Sequence, residues 1–126
     1  MSEQLTESLQ EAILAVLAFD DKQGALVAAQ VLPEHFTEVY RDVASAVLNY
    51  RKKYQKAPGS AHLEHLLSAP QFDASKGALR RVVANLSATS DSINSEYIVS
   101  RTQDFVRAQK LGAALLAANE RYVQGG

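Results

Sequence analysis

The sequence contains no cysteine among its 126 residues, which excludes disulfide frameworks, thiolate zinc sites, iron–sulfur clusters and cysteine nucleophiles, and suits a reducing cytosol. It has six glycines, at 24, 59, 77, 112, 125 and 126, from which neither G-x-x-x-x-G-K-[ST] nor G-x-G-x-x-G can be written. Both common phosphate cradles are therefore missing, and the chain by itself is expected to be no enzyme and to use no cofactor. Neither sign of charge is in excess. Thirteen Lys+Arg against fourteen Asp+Glu give a net charge of −1, which argues against a surface built wholly to neutralise nucleic-acid phosphates. Long hydrophobic runs are missing too. The longest, Ala12 to Phe19, spans eight residues and stops at Asp20-Asp21, far short of the roughly 20 needed to cross a bilayer. The N-terminus carries Glu3, Glu7 and Glu11 and no Lys or Arg before Lys22, opposite to the basic start of a secretory signal, so the chain is expected to be cytoplasmic.

The length allows one domain, and 47% hydrophobic residues supply one packed core. Only three prolines and the six glycines interrupt the chain, and the residues between them follow a period of 3.6 much better than two, which reads as an all-α fold. A first helix is expected from Ser2 or Thr6 to Asp20, with Leu5, Leu9, Ile13, Val16 and Leu17 on one face. A turn at Gly24 and a short helix Ala25–Leu32, closed by Pro33, should follow. Thr37 can cap a long third helix to about Lys56, whose apolar stripe includes Tyr40, Val43, Val47 and Tyr54.

Ala57-Pro58-Gly59 breaks that helix, and a short one capped by Ser60 should run through Leu66-Leu67. The stretch 68–75 reads as loop and the region around Leu79 to Leu86 as a fifth helix, with Arg80 and Arg81 outward. A polar linker, 88–92, precedes a last helix capped by Asn94 and about 28 residues long. The expected architecture is a compact head of about five helices, residues 1–92, followed by a long C-terminal helix in 93–126.

His62 and His65, with Glu64 between them, share a helix face and form the one grouping that suggests a metal. Two imidazoles without a second cluster leave coordination incomplete, so a solvated helix face is the expectation. His35, after Pro33-Glu34, has no nucleophile or paired acid near it and reads as a turn or capping side chain. Arg51, Lys52, Lys53 and Lys56 cluster at the end of the third helix, where positive charge also complements the helix dipole. They form a possible basic contact for phosphate or an acidic partner. Even with Arg80 and Arg81 added, six phosphate contacts on a single strand would give a salt slope of only about −4. Direct nucleic-acid binding is therefore expected to be weak or absent.

The most informative segment is Leu111 to Ala118, eight positions without a polar side chain, because a helix apolar on every side must be covered on more than one. Ile98, Phe105, Ala108, Gly112, Leu115, Asn119 and Tyr122 follow a 7,3,4,3,4,3 spacing close to the seam of paired helices. Phe105, Ala108, Leu111, Gly112, Leu115, Leu116 and Tyr122 are thus the expected self-association or partner surface, the small residues at 108 and 112 letting another helix approach.

In their order these pieces resemble the N-terminal domain of DnaB-type replicative DNA helicases, from about Leu9 to Tyr122. The likeness rests on the opening Ala12-Ile13-Leu14-Ala15-Val16-Leu17, the turn Val31-Leu32-Pro33-Glu34-His35-Phe36 and the long helix ending in Tyr50 and a basic tail. The Ala57-Pro58 break and Ile93-Asn94-Ser95-Glu96-Tyr97 add to it. The sequence departs from the family in having Ala15 for a usual glycine, Gly59-Ser60 where an acid commonly follows the proline, and one hairpin arm rather than two.

The resemblance implies a small helical head followed by a hairpin whose arms pair between subunits, as the collar of a hexameric ring and a docking surface for primase. The segment 95–123 would be the first arm. Helicase activity would then belong to an ATP-dependent motor in a longer parent protein. Two other readings stand beside this one: a free-standing helical adaptor, of phage origin for example, using the same arm, and a helical nucleic-acid-binding regulator using the basic clusters.

Overall fold

The computed structural model describes residues 5–125, with side chains described through residue 112 except at residue 60. Thr6 opens helix α1 (Glu7–Phe19) by accepting a hydrogen bond from the Leu9 N–H through its hydroxyl, at 3.2 Å. The second half of α1 carries no polar face: Ala12 to Ala18 are all buried. The one-faced reading of this helix therefore holds only for its first turns. Beyond them α1 is the axis of the head, packed against α2, α3, α4, α5 and α6.

Asp20 ends α1 and caps α2 (Asp21–Ala28), its Oδ1 accepting from the Gln23 N–H at 2.8 Å. The expected turn at Gly24 and helix from Ala25 are corrected accordingly. The Asp20 cap starts the helix four residues earlier, and Gly24 lies inside it. Pro33–His35 forms a 3-10 turn in which His35 Nδ1 accepts from the Leu32 N–H at 3.0 Å, which places the imidazole proton on Nε2. The capping reading of His35 is borne out.

Thr37 precedes α3 (Glu38–Tyr54) but does not cap it with its side chain. It is held by the buried Gln10, whose Oε1 accepts from the Thr37 N–H at 3.0 Å and whose Nε2 donates to the Leu5 carbonyl at 3.0 Å and to Thr37 Oγ1 at 3.2 Å. This one amide ties the start of the chain to the entry of α3. On α3, Tyr40 donates to Glu11 Oε1 at 3.0 Å. Burial, that hydrogen bond and the nearby carboxylates push its phenol up to about 12.

Helix α3 closes at Gln55, which adopts the left-handed conformation at φ 61°. Glycine adopts this conformation without the Cβ penalty that an L side chain carries. Gln55→Gly is accordingly expected to stabilise the fold by up to about 1 kcal/mol, net of the exposed bond that Gln55 Nε2 makes to the Lys52 carbonyl. A rise in the urea midpoint at unchanged slope is the readout, and a fall would show that this bond outweighs the backbone term.

The following turn is tied down where the Ala57 N–H donates to Asp21 Oδ1 at 2.7 Å. Gly59, at φ 73°, then starts α4 (Gly59–Leu66). The stretch expected as loop is partly ordered into a 3-10 segment, Pro70–Ser75. It runs into α5 (Lys76–Ser90), which extends over the first half of the expected polar linker, with Ser90 Oγ donating to the Ser87 carbonyl at 2.9 Å. Asn94 Oδ1 accepts from the Tyr97 N–H at 3.1 Å, as an N-cap should, and α6 (Ser95–Gly125) follows. The fold is all-α, with no strand among the described residues.

Candidate functional site

Three surface features follow from this packing: the exit of α6 from the head, a groove between α2 and α3, and a groove between α4 and α5. The first is set by where α6 stops being covered. Ile98, Val99, Thr102, Phe105 and Val106 are buried against the head, and the Thr102 hydroxyl donates to its own helix at the Ile98 carbonyl, 2.7 Å away. Phe105 meets the His35 ring edge-on, with centroids 5.5 Å apart and planes at 88°. The Pro33–His35 turn thus holds α6 down. Phe105, expected on an association surface, is instead a core residue of its own chain. The first three turns of α6 belong to the head.

Ala108, Leu111 and Gly112 are exposed, Leu111 to 60% of its surface. A Cβ built on Gly112 meets nothing within 4 Å, so these expected contact positions face outward. Leu115, Leu116 and Tyr122 lie outside the residues whose side chains are described. At 1.5 Å per residue the 31 residues of α6 extend about 46 Å.

Of the four cations read as one basic contact, Arg51 and Lys52 both line the groove between α2 and α3, but Arg51 is taken up by its own chain. Arg51 is only 6% exposed. Its Nε donates to the Leu17 carbonyl at 2.6 Å and its Nη2 to the Asp20 carbonyl at 2.5 Å, so it stitches the end of α1 instead of facing a partner. Burial lowers its pKa, and the carboxylates of Asp21 and Asp20 oppose that shift. Lys52 lines the α2/α3 groove, a cleft of about 440 Å³ with Ala25, Ala29, Leu32 and Leu48.

Lys53 sits on another side of α3, its ammonium 5.3 Å from the centre of the Tyr54 ring. Residues 52 and 53 stand about 100° apart around a helix, and Lys53 leans onto Tyr54 while Lys52 lines the groove. Lys56 is exposed beyond the helix end. Tyr54, expected in the core, is 52% exposed and leans on Tyr50 at 4.6 Å between ring centres. It falls at the last turn of α3, where the apolar stripe runs off the covered part of the helix.

His62 Nδ1 lies 3.0 Å from the Pro58 carbonyl, to which it can only donate. His65 and Glu64 are exposed. Among the described residues, no three His, Asp or Glu side chains converge on one point.

The third feature was not singled out in the sequence. Leu67 of the turn after α4 and Leu79 and Val83 of α5 form the apolar floor of an open groove of about 470 Å³. Glu64 stands on one wall and Lys76 and Arg80 on the other, while Ser68, Ala84 and Ser87 are too short to close it. The signal available in the sequence was the i, i+3, i+4 recurrence of small residues beside the apolar stripe of α5.

No family model, no curated protein and no solved structure matches the chain. Among the described residues no helix is long and apolar enough to cross a membrane.

Proposed function

We propose that the chain is a non-catalytic assembly and docking domain, of the kind found at the N-terminus of DnaB-type replicative helicases. In this role it would contribute to ring assembly through α6 and bind a primase-type protein partner. The observation that carries the reading is the uncovered exit of α6. Leu111 is 60% exposed directly after a segment whose large apolar side chains are buried, and in the sequence it opens the eight-residue apolar run Leu111–Ala118. Such a helix is stable in water only when a second surface covers it. A copy of the same chain supplies one with closed symmetry.

The burial of Arg51 on its own chain's carbonyls favours protein partners over nucleic acid, since the cluster can no longer offer four free cations to a phosphate backbone. The 3-10 turn within Val31–Phe36, one of the segments on which the resemblance rests, also acquires a role, anchoring the arm through His35 and Phe105. Gly59 departs from the family's usual acid, and its φ of 73° is a backbone conformation that L side chains rarely adopt.

The test is the mass in solution. The chain is expected to scatter light as a species heavier than one 13.7 kDa copy. Leu111→Glu and Leu115→Glu should each return it toward the monomer, with helical content kept. A monomeric parent chain, or an unchanged mass with a lowered melting temperature in both variants, would overturn the assembly reading.

A further inference from the structure

The groove between α4 and α5 has the length, floor and charge of a site for one further helix. Its α5 wall is the stripe Lys76, Leu79, Arg80, Val83, Ala84 and Ser87, which covers three turns, or about 17 Å. Along that length the floor is apolar and the rim is low, because Ser68, Ala84 and Ser87 occupy positions where a longer side chain would fill the seam. Ser68 Oγ already donates to the His65 carbonyl at 2.7 Å, leaving the centre of the groove without a competing polar demand. A helix laid there would set residues at i, i+3 or i+4, and i+7 against Leu67, Leu79 and Val83.

Charge selects which helix. Lys76 and Arg80 stand one turn apart on the same wall, exposed, and Arg81 is exposed beside them. The salt bridge present among the described residues joins Arg101 to Asp104, so among those residues neither groove cation is held in an ion pair. The facing wall carries a single carboxylate, Glu64. The C-terminal arm of a second copy does not complement this pattern, since residues 111–126 contain one acid, Glu120, beside one base, Arg121. The acidic helix α1 is itself inside the head.

We propose that the α4/α5 groove binds an amphipathic helix of another protein that carries carboxylates along one flank of its apolar stripe, spaced to meet Lys76 and Arg80. This deepens the docking half of the function proposed above, and it depends on peptide binding where the assembly half depends on mass, so the two can fail separately.

The test uses two synthetic helical peptides with leucine at i, i+3 and i+7, one flanked by glutamates and the other by lysines at the same positions. Fluorescence anisotropy at low salt is expected to show the acidic peptide binding at least about tenfold more tightly, with the preference shrinking as salt is added. On isotope-labelled full-length chain, the amide shifts should fall on α4 and α5. Arg80→Glu, at an exposed position, should reverse the preference, and Ala84→Trp should block both peptides by filling the groove while leaving the melting temperature near that of the parent. Equal binding of the two peptides, no binding by either, or an unaltered preference in Arg80→Glu would overturn the proposal. So would shifts centred on the α2/α3 groove, or on α6 as expected for a self-association surface.

Discussion

Arg51→Met is expected to lower the stability of the fold by about 3 kcal/mol, the largest single effect anticipated outside the apolar core. The last carbonyls of a helix have no partner within it and form the negative end of its dipole. At the end of α1 these carbonyls are inside the protein: Leu17 is fully buried, and its oxygen accepts from Arg51 Nε at 2.6 Å. Asp20, the cap between α1 and α2, offers its carbonyl both to the Gly24 N–H at 3.0 Å and to Arg51 Nη2 at 2.5 Å. Methionine keeps much of the apolar stem but none of the donors, so it isolates the polar loss from the packing loss.

Hydrogen bonds to a charged donor are worth about 1.5–3 kcal/mol each. Removing the guanidinium also returns part of the cost of burying it, a cost visible in its lowered pKa. The balance therefore sits below the sum of two bonds. Arg51→Lys should recover only part of the loss, because a single ammonium lacks the planar fork that reaches two carbonyls at once. Urea denaturation decides the matter through a lower midpoint at unchanged slope. A change in stability within about 0.5 kcal/mol for Arg51→Met, the range of ordinary surface substitutions, would show that water takes over both carbonyls.

Arg51 also shows what could and could not be read in the sequence. Helix number and most breaks were legible because they follow local chemistry. The oxygens of Thr6 and Asn94 cap α1 and α6, and the Ala57-Pro58 break follows the end of α3, whereas α2 stops at Ala28, before the Leu32 that Pro33 was expected to close. Burial was less legible, because it depends on which elements meet. Arg51, Lys52 and Lys53 are adjacent cations in the sequence, yet Arg51 is buried between α1 and α2 on two carbonyls, Lys52 is exposed at the α2/α3 groove and Lys53 leans onto Tyr54.

Two apolar runs looked alike in kind, Ala12–Phe19 and Leu111–Ala118. The first is the central axis of the head, and the second begins where the head ends. The Gln10 clamp on Thr37 was invisible for the same reason, since it joins residues 27 positions apart. Of the candidate site, Ala108 and Gly112 came from periodicity and Leu111 from the apolar run, and all three face outward, whereas Phe105, on the same seam, is claimed by the turn at His35. The α4/α5 groove was harder to read because a groove is defined by side chains that are short, and the small residues recurring beside the α5 stripe mark one only once the element packed against them is known.

The last expected result turns on Gly24, where local and tertiary chemistry give opposite signs. Gly24 is inside α2, and helix propensity alone would make Gly24→Ala stabilising by about 1 kcal/mol. The packing reverses this. A Cβ at this position would overlap Arg51 Nη2, stand 2.7 Å from Arg51 Cζ and stand 2.7 Å from the carbonyl oxygen of Val16. The guanidinium cannot withdraw without giving up the Leu17 and Asp20 carbonyls, and Val16 is backbone in the most buried helix of the head. Gly24→Ala is therefore expected to destabilise by about 2 kcal/mol, in the range of overpacked cores.

If the clash runs through Arg51, the two substitutions must couple. Gly24→Ala should cost less in an Arg51→Met background than in the parent, since methionine removes two of the three close contacts and leaves the one to Val16. Denaturant unfolding of the parent, both single variants and the double variant measures that difference. A stabilising Gly24→Ala, or four strictly additive values, would mean that α2 does not cross the end of α1 beneath the Arg51 side chain.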